Sequence, residues 1–113
     1  MNRLYFPALA LLLLFSQCSK SEDPAPADAC DGLTPTYQDD IQSIIAKSCA
    51  LAGCHIGDVP QPKYTSYAAV KALTGTIQQR VTEKSMPPAG ATPLSASEIK
   101  LIDCWIKNGA PEN

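Results

Sequence analysis

The segment formed by residues 48–55 constrains this chain more than any other part of its sequence. Cys49 and Cys54 are separated by four residues, and His55 follows the second cysteine directly. His55 is the only histidine among the 113 residues. Two thiols and one imidazole so close together indicate a cofactor or metal site, or a disulfide beside a histidine. The fold must therefore hold all three side chains in one short loop.

The chemistry of these three side chains matches the needs of a covalently attached haem. Such a haem requires two thiols, which form thioethers with its vinyl groups, and an imidazole that binds its iron. We expect Cys49 and Cys54 to be the thioether sites and His55 an axial ligand. The usual spacing is C-x-x-C-H, whereas four residues separate the cysteines here. The longer spacer must bulge outward, and Gly53 can supply an unusual backbone angle for it.

Met86 is the candidate for the second axial ligand. It lies in the sequence Ser-Met-Pro-Pro, and once the first residue is removed with a signal peptide it is the only methionine. A methionine in a proline-flanked polar loop is poorly placed for core packing, whereas a soft thioether is a good haem ligand. We therefore expect one haem c per chain, with His55 and Met86 on its iron. With both axial positions filled, we expect no catalysis.

The N-terminal region has the pattern of an export signal. Arg3 precedes an unbroken apolar run over residues 8–15, which is the length of a signal-peptide core and too short to span a bilayer. Cys18 follows closely and resembles the lipidated cysteine of a bacterial lipoprotein. We expect a signal peptide over residues 1–17 and a lipid anchor on Cys18, which places the protein in the periplasm or on the outer surface. The alternative is an ordinary signal peptide with Cys18 free or in a disulfide.

The chain beyond the signal peptide divides into a tether and a domain. Residues 18–33 begin with a polar, proline-rich stretch that predicts a flexible tether. Residues 34–113 contain two clear helix signals. Thr36 is a predicted N-cap for a helix that runs into the cysteine motif. Ser95 and Glu98 predict a capping box at the start of the last helix.

The middle of the domain has weaker helix signals. Ser66 is a predicted cap for a short helix over residues 67–74, and we expect Gly75 to end it. Residues 75–84 are ambiguous, because two apolar residues four positions apart permit another helical turn. No segment alternates as a strand does, so the prediction is an all-α domain. Its core is marginal for its size, and such small domains usually need a cofactor or disulfide.

The order of these features resembles a small class I cytochrome c domain. A helix, the Cys-Cys-His motif, a Pro-rich loop, a short helix, Ser-Met-Pro-Pro and a helix ending Trp-Ile-Lys-Asn-Gly-Ala-Pro follow one another over residues 37–113. The chain is similar to the form of this domain found in bacterial lipoproteins with a lengthened cysteine spacer. The resemblance implies a helical domain wrapped around a covalent haem that carries single electrons. It also implies that the first and last helices cross, with Trp105 near Tyr37 and Ile41.

The two remaining cysteines have no place in the haem motif. The resemblance brings Cys30 and Cys104 close together, so in an exported protein we expect them to form a disulfide. The formal net charge is only -2, and no basic patch indicates nucleic-acid binding. The expected partners are a redox protein of unknown identity and the membrane, which is reached through the lipid. No small-molecule substrate is expected.

Other functions are compatible with the same residues. A haemless binding or structural lipoprotein domain would be stapled by disulfides Cys49–Cys54 and Cys30–Cys104. A zinc site would use the motif cysteines and His55 but has no fourth ligand at a fitting spacing. A haem sensor or catalytic domain would release its sixth ligand to open the iron. A thiol redox enzyme would need C-x-x-C in a βαβ context, and the sequence has neither.

Overall fold

The computed structural model describes residues 30–113, and the secondary-structure elements assigned in that range are all helices. The all-α prediction is therefore confirmed for this part of the chain. The predicted signal peptide over residues 1–17, the lipidation site Cys18 and tether residues 18–29 lie outside the described residues. Across residues 30–113, no helix combines the length and the hydropathy needed to cross a bilayer.

The first helix, α1, runs directly into the cysteine motif as predicted. It begins with a π-helical turn, Tyr37–Ile41, and continues as an α-helix over Gln42–Ser48. Thr36 caps it, because its hydroxyl accepts a hydrogen bond of 3.2 Å from the Asp39 backbone N–H. The α-helix ends at Cys49. The position of the motif is thus fixed by a helix whose own start is capped.

The middle of the domain contains one helix more than the sequence predicted. Helix α2 spans Tyr67–Lys71 and helix α3 spans Thr74–Thr82. The prediction that Gly75 ends a helix is wrong, because Gly75 lies in the first turn of α3. A glycine costs a helix about 1 kcal/mol relative to alanine. Burial of Ile77 and Val81 against the core contributes ~1.5–3 kcal/mol for each side chain, which outweighs that cost.

The last helix, α4, spans Ala96–Lys107 and carries the predicted capping box. Ser95 Oγ accepts a hydrogen bond from the Glu98 backbone N–H at 3.2 Å, and the Glu98 carboxylate accepts one from the Ser95 backbone N–H at 2.8 Å. Gly109 follows the helix with φ of 89°, a left-handed conformation that favours glycine. Ser66 also caps α2 as predicted. These caps fix where the helices begin and end.

The core lies where α1 and α4 are in contact. Trp105 is fully buried at its centre, and its ring centroid lies 6.0 Å from that of Tyr37. The predicted contact between the first and last helices, with Trp105 near Tyr37, is therefore confirmed. The core cluster is formed by Tyr37, Ile41, Ile44, Ile45, Val70, Ile77, Val81, Ile102, Trp105 and Ala110.

The segment after α4 closes over the start of α1, and we call residues 110–112 the C-terminal clasp. The Pro111 carbonyl accepts hydrogen bonds from the Tyr37 backbone N–H at 3.0 Å and from Trp105 Nε1 at 2.9 Å. The Glu112 carbonyl accepts one from the Gln38 backbone N–H at 3.0 Å. The first N–H groups of a helix have no partner within the helix. The clasp supplies two of those partners to α1.

A disulfide joins the start of the described chain to α4. Cys30 and Cys104 have their sulfurs 2.09 Å apart and their Cα atoms 5.3 Å apart, so the structure places the predicted pair at disulfide distance. Asn108 Nδ2 also donates a hydrogen bond of 2.9 Å to the Leu33 carbonyl. Residues 30–33, which the sequence assigned to the tether, are therefore attached to the domain.

An ion pair connects the end of α1 to the start of α4. Lys47 Nζ lies 2.6 Å from Glu98 Oε1. Hydrogen bonds from Lys47 and from Ser95 lower the pKa of the Glu98 carboxyl from its ordinary 4.5 to about 2. Because the pKa is lower in the folded state, the carboxylate stabilises the fold above pH 4.5, and this contribution is lost as the pH falls towards 2.

Glu98→Gln is expected to keep the capping box and lose the pH-dependent part of this contribution. At neutral pH the variant should be less stable by ~0.2–1 kcal/mol, the range for an exposed ion pair. Its free energy of unfolding should fall less steeply below pH 4.5 than that of the wild type. Urea unfolding followed by circular dichroism across this pH range measures both. Glu83→Gln is the control, because Glu83, the residue after α3, accepts a hydrogen bond from the neutral Gln79 side chain instead of a cation. Parallel pH profiles for the wild type and Glu98→Gln would show that the Glu98 carboxylate does not cause this pH dependence.

Candidate functional site

The loop after α1 folds the long cysteine spacer into a tight outward turn. The Leu51 backbone N–H bonds to the Cys49 carbonyl at 2.9 Å, and the Cys54 backbone N–H bonds to the Leu51 carbonyl at 2.9 Å. Gly53 has φ of 78°, so the expectation of an unusual angle there is confirmed. Leu51 stands at the outside of this turn with 41% of its surface exposed. The extra length of the spacer is therefore absorbed locally, without disturbing α1.

The two cysteines of the motif are free thiols in this structure. Both are partly buried, and Cys49 packs against the core. Burial raises the pKa of the Cys49 thiol to about 11, and the neighbouring Cys54 adds to this shift. Cys49 is therefore protonated at neutral pH. The structure does not contain the Cys49–Cys54 disulfide that a haemless stapled domain would use.

His55 is held by a hydrogen bond that determines which ring nitrogen is available. Its Nδ1 lies 2.6 Å from the Pro62 carbonyl oxygen. A carbonyl oxygen only accepts, so Nδ1 must carry the proton and donate it. In the neutral imidazole this leaves the lone pair on Nε2. Histidines that bind metals usually donate their other ring N–H to a carbonyl or carboxylate in this way.

Tyr64 makes two further contacts with His55. Their ring centroids lie 4.2 Å apart with an interplanar angle of 11°, so the rings are stacked. The Tyr64 backbone N–H also donates to the His55 carbonyl at 2.9 Å. The sequence did not predict the contacts of Pro62 or Tyr64 with His55. The only signal was the pair of prolines in residues 58–63, which marks a turn without fixing where the chain returns.

The motif does not form a compact site for a single metal ion. Within residues 30–113, only one group of three His, Cys, Asp or Glu side chains has its ligand atoms all within 4.8 Å of one another. It consists of Cys30, Asp103 and Cys104. Two of these are joined by the disulfide. Cys49, Cys54 and His55 do not form such a group. Tetrahedral zinc would need their ligand atoms close together, because each lies about 2.0–2.3 Å from the ion. The zinc alternative is therefore disfavoured.

Met86, the other predicted ligand, lies at a cleft beside α4. Its backbone N–H bonds to the Arg80 carbonyl at 3.2 Å, and 39% of its surface is exposed. The cleft has a volume of about 420 Å³. It is lined mainly by apolar residues: Val81, Lys84, Met86, Pro87, Pro93, Leu94, Ala96 and Ile99. The Met86 side chain is thus partly accessible from the solvent.

The Lys47–Glu98 ion pair relates the two parts of the candidate site. Lys47 lies two residues before Cys49, and Glu98 precedes Ile99, which lines the Met86 cleft. The end of α1 and the start of α4 are therefore neighbours. Cys49 and Ile99 both pack against the same core. The structure therefore brings the helix end before the cysteine motif next to the helix start beside the methionine cleft.

The described chain thus carries two free thiols, an imidazole whose Nδ1 is hydrogen-bonded and an exposed methionine side chain. Comparison with protein-family models, with curated proteins and with solved structures found no match. The chemistry of these side chains is therefore the basis on which a function is assigned.

Proposed function

We propose that this protein is an exported, lipid-anchored monohaem c-type cytochrome that carries single electrons. The observation that supports it most is the hydrogen bond of 2.6 Å between His55 Nδ1 and the Pro62 carbonyl. It leaves Nε2 as the ligand atom of an imidazole that directly follows a free cysteine.

The other side chains fit a haem better than a bare metal ion. Cys49 and Cys54 are free, and within residues 30–113 they do not form with His55 a group whose ligand atoms all lie within 4.8 Å of one another. A haem does not require such a group, because its two vinyl groups and its iron are different attachment points. The apolar cleft at Met86 offers a surface on which part of a flat ring can be shielded from water. Cys49 and Cys54 would hold haem c through thioethers, and His55 and Met86 would be its axial ligands.

Haem c would supply reversible one-electron exchange at its iron. The chain would tune the potential through the Met86 thioether, since Met/His ligation raises it, and through the apolar lining of the cleft. With both axial positions occupied, no coordination position is open for a substrate, so the protein would act as a carrier rather than an enzyme. Lipidation of Cys18 would keep it at the membrane, where it would meet a redox protein partner.

Expression of the full chain in a bacterium with haem-maturation proteins tests this proposal. The purified protein is denatured, separated by electrophoresis and stained for haem, and its mass is measured. Retention of haem after denaturation, with the matching increase in mass, is the expected result. Absence of both would overturn the electron-carrier function and leave the haemless binding or structural domain.

Met86→Ala is expected to lower the reduction potential and open the sixth coordination position. The oxidised wild type should show the near-infrared absorption band of a thioether-to-iron bond, and the variant should lose it. The variant should also bind carbon monoxide faster when reduced. Leu94→Ala is the matched control, because Leu94 lines the same cleft without carrying a sulfur. A wild type that lacks the band would remove Met86 as the resting ligand and favour a sensor with an open iron.

A further inference from the structure

We propose that Tyr64 is a positioning residue for His55, and that it sets the plane of the imidazole by stacking on it. The inference rests on the proposed function in one respect, namely that His55 binds iron. The contact itself is independent of any cofactor, because both rings belong to the described chain. The structure places them 4.2 Å apart and nearly parallel, with an interplanar angle of 11°.

The hydrogen bond from His55 to Pro62 does not fix the imidazole completely. A single bond from Nδ1 to the carbonyl oxygen sets the distance and the direction of one N–H. The bond to Cβ limits the remaining motion to coupled changes of χ1 and χ2 that tilt the ring while the hydrogen bond persists. A flat ring stacked against one face opposes this tilt. The two contacts together therefore define where the Nε2 lone pair points.

Tyr64 is itself well anchored for this role. Its side chain packs against the hydrophobic core, so the core holds its ring in place. Its backbone N–H bonds to the His55 carbonyl at 2.9 Å, which ties the two residues together at the main chain as well. A ligand is positioned well when the residue that supports it is locked by packing and hydrogen bonds. Tyr64 meets both conditions.

The contact can be observed directly by NMR of the exported, purified protein in its reduced form, made with a tag that contains no histidine. His55 is then the only histidine, so its ring resonances are unambiguous. Cross-relaxation between the His55 and Tyr64 ring protons is expected. Its absence would overturn the inference. Because this measurement does not require haem, a haem-free preparation would refute the proposed function while still testing the stack.

The consequence for the iron is tested with substitutions at two tyrosines. Tyr64→Leu removes the stacked ring, Tyr64→Phe keeps it, and Tyr67→Leu is the control. Tyr67 is also a half-buried tyrosine on the core, but it contacts Tyr37 and the Ala110 carbonyl.

Electron paramagnetic resonance of the oxidised proteins is the readout, because its g values depend on the orientation of the axial imidazole. Tyr64→Leu is expected to show shifted, broadened g values or a second low-spin species, whereas Tyr64→Phe and Tyr67→Leu should match the wild type. Unchanged g values in Tyr64→Leu would refute the positioning role. The same change in Tyr64→Phe would assign the effect to the hydroxyl. The same change in Tyr67→Leu would assign it to a general loosening of the core. Either result would overturn the positioning role of the Tyr64 ring. If Tyr64→Leu fails to fold, the NMR cross-relaxation and Tyr64→Phe still decide the matter.

Discussion

Replacement of both Cys49 and Cys54 by serine is expected to abolish haem retention after denaturation. Serine is nearly the same size as cysteine, but its hydroxyl does not form a thioether with a vinyl group. Each single variant should keep one covalent attachment, and so retain haem while shifting its visible absorption bands. Haem staining of denatured protein and mass spectrometry distinguish zero, one and two attachments.

The matched control for this experiment is the pair Cys30→Ala and Cys104→Ala. These cysteines are joined to each other, whereas Cys49 and Cys54 are free. The control pair should therefore retain covalent haem in any chain that is recovered folded. Covalent haem on a chain that lacks both Cys49 and Cys54 would show that these residues are not the attachment sites.

Loss of the Cys30–Cys104 disulfide should cause the largest change in stability. The bridge closes a loop with a sequence separation of 74 residues, and the chain-entropy model gives about 4 kcal/mol for a loop of this length. Small domains are stable by only ~5–15 kcal/mol. Since Cys104 is fully buried, alanine is preferable to serine, which would bury a hydroxyl.

The double alanine variant is expected to unfold at least ~15 °C below the wild type, because 1 kcal/mol shifts the midpoint of a small domain by about 4–8 °C. Thermal unfolding followed by circular dichroism gives the midpoints. A reducing agent should lower the wild-type midpoint and leave that of the variant unchanged, which serves as an internal control. Equal midpoints for wild type and variant would show that the bridge does not contribute to stability.

The helix boundaries that were predictable from the sequence are those set by local contacts. Thr36, Ser66 and Ser95 each accept a hydrogen bond from a backbone N–H three residues later. Such a bond depends on a few neighbouring residues, so the sequence pattern contains all that is needed. The backbone angle at Gly53 was also predictable locally, because glycine adopts a left-handed conformation at little cost and stands in the spacer where a turn was expected.

Gly75 was misassigned because its environment is determined by distant residues. Taken locally, a glycine after a short amphipathic segment indicates a helix end. In the structure Gly75 lies in the first turn of α3, since Ile77 and Val81 of that helix are buried in the core shared with α4. The favourable burial depends on a packing partner that a local window does not contain.

The same limit applies to the candidate site. The prediction that His55 is a ligand came from its position directly after Cys54 and from its being the only histidine in the sequence. The support of His55 by Pro62 and Tyr64 was not predictable in this way, because the direction in which residues 58–63 return is a property of the folded chain. Likewise the sequence indicated Met86 by exclusion, whereas its place in a cleft with Leu94 depends on how α3 and α4 pack.

The C-terminal clasp has a consequence for the order in which the domain folds. A ribosome makes the chain from its N-terminus, so the cysteine motif emerges well before Pro111 and Glu112. Until those two carbonyls arrive, the start of α1 lacks the hydrogen-bond partners that they supply. The Trp105 indole N–H likewise lacks its acceptor until Pro111 has been synthesised. The start of α1 and the Trp105 indole should therefore become fully hydrogen-bonded only after residues 110–112 have been synthesised, which makes the closure of the domain a late step in its folding.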